Sequence, residues 1–449
     1  MTKSVKEPAM QLPVFDETDI LVVGAGPAGL AAALSAARLG AKVILLDRYG
    51  KLGGLATGGI VAMLPNIDNG SSIQCRGILK EWVDRLRAIP NAIYGPEAAE
   101  IGQSDPVLAQ KWKKYGCNVW NGKVCDSVYF DPEYLSIIFC EMIAEEKNIT
   151  TYLHAWAVKA YMDEGNLKGV IFESKEGRKA ILSHLIIDCT GEGDIFASAG
   201  AEFEFDFNPE LRSTDTSLVY RLANTDFEKF ASYEEANKEE YRRKAAALQA
   251  EVGYRFRPVA SNRNDNIWIN NHNKEFNSLD VRDLTALEFK VRLSFPKVLA
   301  YFRKEFPGFE NSYLMDFASQ AGVRSSRRLK ALYQIRFEDF QKGVRFEDTI
   351  AATPAMHCCN FPDAGEVGMY IPYRALIPEK LDNLIAAGRC ISCDLESHNW
   401  LNLIPHSVAT GEAAGAAAYI ALNENIQPRA VDVQKLQSIL INEKGCCLG

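Results

Sequence analysis

The chain has 449 residues, of which 47% are hydrophobic and 24% are charged, and its formal net charge is −8. This length predicts two or three domains with sizeable cores, unless one α/β domain takes up most of the chain. An acidic total without a basic tail argues against a nucleic-acid partner. No uninterrupted apolar stretch reaches the ~18 residues of a membrane-spanning helix, so no membrane insertion is predicted. The polar N-terminal segment lacks an apolar signal core, which predicts a cytoplasmic protein.

An apolar strand, a glycine-rich turn, an alanine-rich helix and a second apolar strand open the chain in that order. Such a βαβ unit binds a dinucleotide when glycines allow a tight turn, the approach of a pyrophosphate, and close packing of helix and strand. The helix N-terminus then faces the phosphates, and an acid at the end of the second strand accepts hydrogen bonds from a ribose. The residues in these positions are Gly24, Gly26 and Gly29, with Ala28 in the same turn and Asp47 closing the second strand. Together they predict a dinucleotide site.

A second glycine-rich segment follows this acid at once. Five of the ten residues from 50 to 59 are glycine, which favours backbone lying against a flat ligand. A flexible linker is the alternative, but linkers rarely continue into an apolar run such as 60–64. The candidate ligand contacts in this segment are Arg48, Gly53, Gly54, Leu55, Ala56, Thr57 and Gly58.

Residues 70–145 predict helices separated by Pro and Gly turns, and residues 150–188 predict short strands that form a β-meander. The meander ends in an apolar strand followed by Asp-x-Thr-Gly-x-Gly-Asp, from Asp188 to Asp194. Here too the backbone must approach a ligand. The candidate contacts in this part of the chain are Ala157, Gly191 and Asp194.

The middle of the chain has a different character. Residues 226–250 are dense in Glu, Lys and Arg and predict a solvated helix, and residues 287–306 predict an amphipathic helix interrupted by Pro296. Arg324 and Arg328 would share a face in either a helix or a strand. Two guanidiniums on one face repel unless an anion, an acid or solvent lies between them. Pairing with structural acids and binding of an anionic substrate both remain open.

The last part of the chain contains a strand at 384–387 that leads into Gly388-Arg389. A helix of small residues is predicted at 406–422. Its alanines and glycines allow close approach to another helix or to a ligand.

The chain has eleven cysteines, an odd count spread over its length that does not indicate a disulfide framework. Vicinal cysteines are poorly spaced for an iron–sulfur cluster, and we predict no metal site. Three pairs are close in sequence, namely Cys358 with Cys359, Cys390 with Cys393, and Cys446 with Cys447.

Four motifs occur in order: the first glycine turn with its acid, the Gly53-Gly54 pair, the segment Asp188–Asp194, and the segment Asn383–Arg389. Together they resemble the FAD-dependent oxidoreductases of the glutathione-reductase-like, two-dinucleotide-binding-domain flavoprotein superfamily. The resemblance implies an α/β fold, in which a Rossmann-like FAD-binding domain with a parallel sheet and a β-meander carries an inserted α+β substrate or cap domain. The implied boundaries are a discontinuous FAD-binding domain at 17–75, 145–205 and 345–425, a helical insertion at 76–144, a substrate or cap domain at 206–344, and a C-terminal tail at 426–449.

The resemblance also implies where FAD makes its contacts. The first glycine turn would hold the pyrophosphate, and Gly388-Arg389 would lie near the ribityl phosphate. The N-terminus of the last small-residue helix would face the flavin C2 carbonyl and stabilise negative charge on the reduced ring. The residues implied there are Asn402, Leu403 and Ile404. Relatives with covalent flavin carry a histidine just after the Gly-Gly pair. Leu55 and Ala56 occupy that place here, which predicts non-covalent FAD.

Hydride transfer to or from flavin N5 needs an acid or base for the matching proton. The candidates are His357, His398 and His406, because their segments converge on the flavin in the resembled fold. Arg324 and Arg328 are the candidates for binding an anionic group. The predicted activity is that of a dehydrogenase or reductase that moves hydride between flavin N5 and a small, anionic organic substrate. A second dinucleotide motif is absent from the sequence, which predicts an external electron donor or acceptor.

Two other flavoenzyme functions stay open. A flavin monooxygenase would need a nicotinamide input and oxygen activation. The tail Gly445-Cys446-Cys447 resembles the C-terminal dithiols of mercuric and thioredoxin reductases, which implies a thiol or metal reductase that acts at a neighbouring subunit of a homo-oligomer. The flavin-side dithiol of those enzymes is missing, which argues against the second alternative.

Overall fold

The structure is a computed structural model that describes residues 3–68, 75–117, 119–120, 122–211, 214–354 and 368–448. The predicted acid or base His357 and the Cys358-Cys359 pair lie outside the described residues.

The first part of the chain opens with the predicted βαβ unit and continues into short strands and helices. Its elements are β1 (Val14–Val23), α1 (Pro27–Arg38), β2 (Val43–Leu46), β3 (Met63–Asp68), α2 (Ile78–Arg87), β4 (Ile93–Tyr94), α3 (Pro106–Lys114), β5 (Val119–Trp120), β6 (Lys123–Val124), β7 (Asp126–Phe130) and α4 (Pro132–Ala144). Strands β3, β7 and β4 form an antiparallel sheet. Residues 76–144 are therefore mixed α and β, and not the purely helical insertion that we predicted, because strands this short show no hydrophobic period.

A seven-stranded sheet forms the centre of the molecule. The next elements are β8 (Ile149–Tyr152), β9 (Trp156–Asp163), β10 (Asn166–Ser174), β11 (Gly177–Asp188), α5 (Asp194–Ser198) and β12 (Phe203–Glu204). The strand order is β8-β2-β1-β11-β10-β9. The neighbours from β8 to β11 are parallel, and β11, β10 and β9 form an antiparallel meander. The predicted parallel sheet with a β-meander is confirmed.

A cap with its own sheet and core follows. Its elements are β13 (Thr216–Ser217), β14 (Tyr220–Ala223), α6 (Phe227–Ala236), α7 (Lys238–Val252), β15 (Arg255–Val259), β16 (Asn266–His272), α8 (Val281–Glu305), β17 (Tyr313–Phe317) and β18 (Gly322–Val323). The antiparallel order is β15-β16-β14-β17. Helix α8 does not break at Pro296 as predicted. This proline lies on the exposed side, and the buried side chains of Phe295 and Val298 hold the helix to the core on both sides of it.

Arg221 on β14 ties the cap to the first part of the chain. Its side chain is only 1% exposed and pairs with Asp131, at the start of α4, and with Asp316 on β17. The nitrogen–oxygen distances are 3.0 Å and 2.5 Å. A buried charge with two partners of opposite sign is expensive to separate from them.

The last part of the chain returns to the central sheet. Its elements are β19 (Arg328–Leu329), α9 (Phe337–Gln341), β20 (Thr349–Pro354), β21 (Gly368–Pro372), β22 (Leu384–Ala386), α10 (Leu395–Leu401), α11 (Ile404–Glu424) and α12 (Val433–Asn442). Strand β22 pairs in parallel with the end of β11. Three separate segments of the chain therefore build one sheet.

Helix α11 packs against α1 through its glycines. A Cβ atom on Gly411 would lie 2.1 Å from the Ala28 carbonyl oxygen, and one on Gly415 would lie 2.3 Å from the Ala32 carbonyl oxygen. The two backbones are therefore in direct contact, as the small residues predicted. Within the described part of the chain, none of the helices combines the length and the apolar character that a membrane span requires.

We expect Gly411→Ala to lower the midpoint of thermal unfolding by a few degrees, because overpacking a close contact costs about 1–3 kcal/mol. The measurement is thermal unfolding followed by circular dichroism. Asn423→Ala, on an exposed part of the same helix, is the matched control and should leave the midpoint unchanged. An unchanged midpoint for Gly411→Ala would contradict the close contact.

Candidate functional site

A cleft opens where the parallel strands end. It is lined by the last residues of β1 and β2, Val23 and Leu46, and by the residues that directly follow β11 and β22, Cys189 and Ala387. Ligands of open α/β sheets bind at the carboxyl ends of the strands. The fold therefore places the cleft where a dinucleotide is expected.

The three glycines of the first turn play different structural parts. Gly24 has a φ of +96°, and a Cβ on it would lie 2.5 Å from the Cys189 carbonyl oxygen. A Cβ on Gly29 would lie 1.7 Å from the Gly24 carbonyl oxygen, whereas one on Gly26 would meet nothing within 4 Å. Gly24 and Gly29 are thus required by the protein itself, and Gly26 leaves space in the cleft at the N-terminus of α1. This space fits a pyrophosphate.

Asp47 closes the turn from the end of β2. Its carboxylate accepts hydrogen bonds from the backbone N–H of Ala25 at 2.5 Å and of Tyr49 at 2.7 Å. Burial raises the pKa of Asp47, and these two backbone hydrogen bonds oppose that shift. Each carboxylate oxygen has a second lone pair, which fits a ribose hydroxyl.

Asp188 holds the second ligand-facing turn and is fully buried. One carboxylate oxygen accepts from the N–H and the hydroxyl of Thr190, at 3.0 and 2.7 Å. The other accepts from the N–H groups of Ile195 and Phe196, at 3.0 and 2.9 Å. These four bonds fix the path of the intervening residues, which include Gly191 at the cleft wall.

Charged side chains line the cleft next to this turn. The guanidinium of Arg389 lies 3.6 Å from the Glu192 carboxylate. Its Nε is buried and has no hydrogen-bond partner among the described residues. Burial lowers the pKa of Arg389 and raises that of Glu192. Arg327 donates to the Asp194 carboxylate at 2.8 Å and to the Glu192 carbonyl at 2.9 Å. The unpartnered Arg389 nitrogen fits an anionic or hydroxyl group of a bound cofactor.

Aromatic residues that the sequence did not single out form one rim of the cleft. Tyr49 and Trp156 both line it, and the Arg48 guanidinium carbon lies 4.8 Å and 6.0 Å from their ring centroids. Such a rim suits the flat face of an adenine ring. An isolated aromatic residue in a sequence gives no signal of this kind.

The opposite end of the cleft meets the cap. The Gly58 carbonyl accepts from the backbone N–H of Ser319 and Gln320, at 2.9 and 3.1 Å, and Gln320 and Ala321 line the cleft. Asn402, at the N-terminal side of α11, also lines it, and its buried side-chain N–H₂ group has no hydrogen-bond partner in the part of the chain that the structure describes. This donor fits a carbonyl of a flavin ring.

The predicted cofactor residues fall into two sets. The cleft is lined by Gly24, Gly26, Ala28, Asp47, Arg48, Gly54, Leu55, Ala157, Gly191, Asp194, Gly388, Arg389, Asn402 and Ile404. The residues that lie behind this lining are Gly29, Gly53, Ala56, Thr57, Gly58 and Leu403. Thr57, for example, donates its hydroxyl to the Leu52 carbonyl at 2.5 Å. The second set therefore shapes the loops that carry the first.

The structure does not place His398 or His406 in the lining of the cleft. The Nε2 of His398 donates to the Arg389 carbonyl at 2.7 Å, and the Nε2 of His406 lies 2.7 Å from the Thr353 hydroxyl. Burial lowers the pKa of both imidazoles to about 3. Both rings are therefore neutral at physiological pH, because burial disfavours the charged imidazolium.

Arg324 and Arg328 do not share a face as predicted, because the residues between β18 and β19 are neither helix nor strand. Arg328 is 1% exposed, pairs with Glu204 and Asp206 at 3.3 and 2.8 Å, and donates to the Cys393 carbonyl. It is thus held by structural acids. Arg324 lies on the cap side of the chain, next to β13.

The model of the FAD dependent oxidoreductase family matches residues 19–440. The chain belongs to this family. With the fit of the cleft lining, the match makes the protein an enzyme with FAD as its cofactor.

Several known proteins with different activities are similar to parts of this chain. It is 27% identical over 229 residues to digeranylgeranylglycerophospholipid reductase 2 of Methanopyrus kandleri, a match that covers 48% of each chain. It is 58% identical over 48 residues to the sarcosine oxidase alpha subunit of Corynebacterium sp. strain P-1, which is 11% of this chain and 5% of that subunit. The matched part thus spans about half or less of the length of each of these relatives.

A geranylgeranyl bacteriochlorophyll reductase-like protein of Thermoplasma acidophilum has a similar structure, with a TM-score of 0.51 and 13% identity. The match covers 96% of this chain and 84% of that one. At this identity the likeness concerns the fold alone.

We expect Gly26→Val to lower the affinity for FAD at least tenfold and to leave the unfolding midpoint of the apoprotein unchanged. The Cβ of the added side chain would enter open space, because no heavy atom of the protein lies within 4 Å of it. FAD binding is measured by quenching of flavin fluorescence. Gly29→Ala is the contrasting variant, because its Cβ meets the backbone and should destabilise the apoprotein. Wild-type FAD affinity in Gly26→Val would contradict the assignment of the pyrophosphate site.

Proposed function

We propose that this enzyme binds FAD non-covalently in the cleft and acts as a dehydrogenase or reductase on a small, anionic organic substrate. One observation supports the proposal most: the cleft lining contains Asp47 and Trp156 and also Gln320 and Ala321, which lie between cap strands β17 and β18. A substrate held by the cap would therefore meet the far end of a bound cofactor. The proposal includes the wider glutathione-reductase-like grouping, the domain boundaries predicted from the sequence, and a cytoplasmic location.

Bound FAD would supply two-electron hydride chemistry at its flavin ring. The protein's residues bind and orient it. The N-terminus of α1 and Gly26 accommodate the pyrophosphate, Asp47 accepts from the ribose, and Arg389 binds polar groups between the two halves of the cofactor. Asn402 donates a hydrogen bond at the flavin end.

The surroundings of Arg324 support the proposal that the substrate is anionic. Its guanidinium is oriented by the Asp215 carbonyl, the Ser217 hydroxyl and the Asn270 side-chain oxygen, at 3.4, 3.5 and 3.2 Å. It follows Ala321 of the cleft wall by three residues, and extended chain advances about 3.3 Å per residue. The side chain thus lies roughly 10 Å along the cap from the cleft. A planar guanidinium recognises a carboxylate with two parallel hydrogen bonds.

The thiol or metal reductase alternative has less support from the structure. Cys446 is not part of the cleft lining, and burial raises the pKa of its thiol, as does the neighbouring Glu412. Cys390 and Cys393 are fully buried, and burial raises their pKa values too. A buried, protonated thiol is a poor nucleophile. Within the described residues, no group of three or more His, Cys, Asp or Glu side chains is arranged to hold a metal ion.

The mass of the denatured, purified protein should equal that of the chain alone, because Leu55 and Ala56 carry no nucleophile where covalent relatives have one. The measurement is mass spectrometry after acid denaturation, with the released flavin identified in the supernatant. An added FAD mass on the chain would refute non-covalent binding.

The rates at which different acceptors reoxidise the reduced enzyme distinguish the reaction classes. After anaerobic photoreduction, we expect the flavin of the holoenzyme to be reoxidised quickly by small unsaturated carboxylates or by quinones, and slowly by oxygen. Stopped-flow absorbance in the visible flavin bands measures both rates. Fast oxygen reaction with a hydroperoxide spectrum would instead favour the monooxygenase alternative.

The same assay tests the anion site. Arg324→Met should weaken carboxylate binding about ten- to a hundredfold, because a hydrogen bond to a charged group is worth about 1.5–3 kcal/mol. Arg282→Met, at an exposed position on α8, is the control. Equal affinity in Arg324→Met and wild type would argue against the anion site.

A further inference from the structure

A histidine–carboxylate pair lies in the cap, outside the residues named above as acid or base. His272 Nδ1 is 2.9 Å from an Asp215 carboxylate oxygen, and the two side chains are 13% and 5% exposed. A carboxylate oxygen accepts, so Nδ1 carries the hydrogen of this bond. The remaining ring nitrogen, Nε2, is then the one that can exchange a proton.

Arg324 belongs to the same group of side chains. It donates to the Asp215 carbonyl and to the side chain of Asn270. Asn270 and His272 are two residues apart on β16, so their side chains lie on one face of the sheet. We call Asp215, Asn270, His272 and Arg324 the cap cluster. It combines a cation that can bind an anion with an imidazole that can move a proton.

This face of the cap sheet is turned away from α8. Ile269 alternates with the cap-cluster residues of β16 and lies across from Tyr220, whose ring centroid is 5.2 Å from that of Phe295 on α8. On the opposite face, Trp268 lies across from Arg221, which pairs with Asp131 of the first part of the chain. The cap-cluster face therefore looks toward the rest of the molecule.

Backbone pairing connects the cap cluster to the cleft. Gly322 and Val323 pair with Ser217 and Thr216, which directly follow Asp215 in the chain. Gln320 and Ala321, the residues before this pairing, line the cleft. Arg324 of the cap cluster is therefore three residues of chain from Ala321 in the cleft lining.

The other described histidines do not offer this combination. His398 and His406 are buried and neutral, and among the described residues their hydrogen-bond partners are the Arg389 carbonyl and the Thr353 hydroxyl and not a carboxylate. His154 and His184 are exposed, and His154 lies against Gly50, next to the Asp47 end of the cleft.

We propose that His272 is the residue that exchanges a proton with the substrate, that Asp215 positions its ring, and that Arg324 binds the substrate's anionic group. This inference rests on the proposed function. In the reductive direction, His272 Nε2–H would give its proton to one carbon of a C=C bond, and the hydride for the adjoining carbon would come from the chemistry that reduced FAD supplies when it is bound. The π bond breaks, two C–H bonds form, the acceptor gains two electrons, and FAD and neutral imidazole remain. Oxidation of a substrate runs through the same transfers in reverse.

The test uses the reconstituted holoenzyme with probes in both directions. Fumarate, crotonate and cinnamate are mixed with the photoreduced enzyme, and small hydroxy and amino acids with the oxidised enzyme, while the flavin absorbance is followed. On the probe that reacts best with wild type, His272→Ala should be at least a hundredfold slower, in line with the 10²–10⁴-fold typical of a general acid or base. Added imidazole should restore part of the rate. His184→Gln, at an exposed position, should keep the wild-type rate.

Binding supplies a readout apart from turnover. Calorimetric titration with succinate should show at least tenfold weaker binding to Arg324→Met. Asp215→Asn should keep succinate affinity within about twofold while its rate falls at least tenfold, because a positioning residue affects the rate and not the anion contact.

The outcomes separate the two proposals. If no probe exchanges electrons with the wild-type flavin, the proposed function is contradicted and the role of His272 falls with it. If a probe reacts with wild type and His272→Ala reacts equally fast, the proposed function stands and the role of His272 is refuted. His272→Ala could also react slowly without rescue by imidazole and unfold at a lower temperature than wild type. That result would show a structural role for His272 and would also refute its role in proton exchange.

Discussion

Two contacts between backbone atoms, each possible only for glycine, set the position of everything in the cleft. Gly29 brings the first turn of α1 against the Gly24 carbonyl, and Gly411 brings α11 against the Ala28 carbonyl. These contacts bring the N-terminal sides of both helices to the cleft wall, where Gly26 and Ile404 contribute to the lining. A side chain at Gly29 would push α1 away from the turn that follows β1, and a side chain at Gly411 would push α11 away from α1. The helix N-termini act on a bound anion only because the backbones can approach so closely.

Charge inside the cleft is balanced locally. The buried Arg389 faces Glu192, and Arg327 joins the Asp194 carboxylate to the Glu192 carbonyl. An isolated buried charge would be strongly unfavourable, whereas an opposed pair with free hydrogen-bonding capacity can accept a polar ligand. The lining therefore remains stable while it keeps donors available for a cofactor.

The parts that could be predicted from the sequence are those defined by backbone geometry. The Gly24–Gly29 turn, the acid at Asp47, the β-meander and the small-residue helix depend on local residue order, and the sheet and the cleft follow from them. The sequence was less informative about side chains whose surroundings come from distant segments. The sequence predicted His398 and His406 as acid or base residues, but tertiary packing buries their rings and makes them neutral. Arg328 looked like an anion site, but Glu204 and Asp206 from far along the chain hold it. Neighbouring Arg327 instead pairs with Asp194, which lines the cleft, and His272 has no motif around it at all.

The buried ion pairs of Arg221 bear on how a substrate can enter. Because Arg221 joins β14 to both Asp131 and Asp316, a hinge movement that lifted the cap from the first part of the chain would leave a buried charge without one of its partners. Separations of this kind cost about 3–5 kcal/mol, so the opened form would make up roughly one molecule in a hundred or fewer. If the cap had to lift in every catalytic cycle, each turnover would have to pass through this rare opened form. Arg221 therefore holds the cap to the first part of the chain, and a substrate should enter without the cap lifting as a whole.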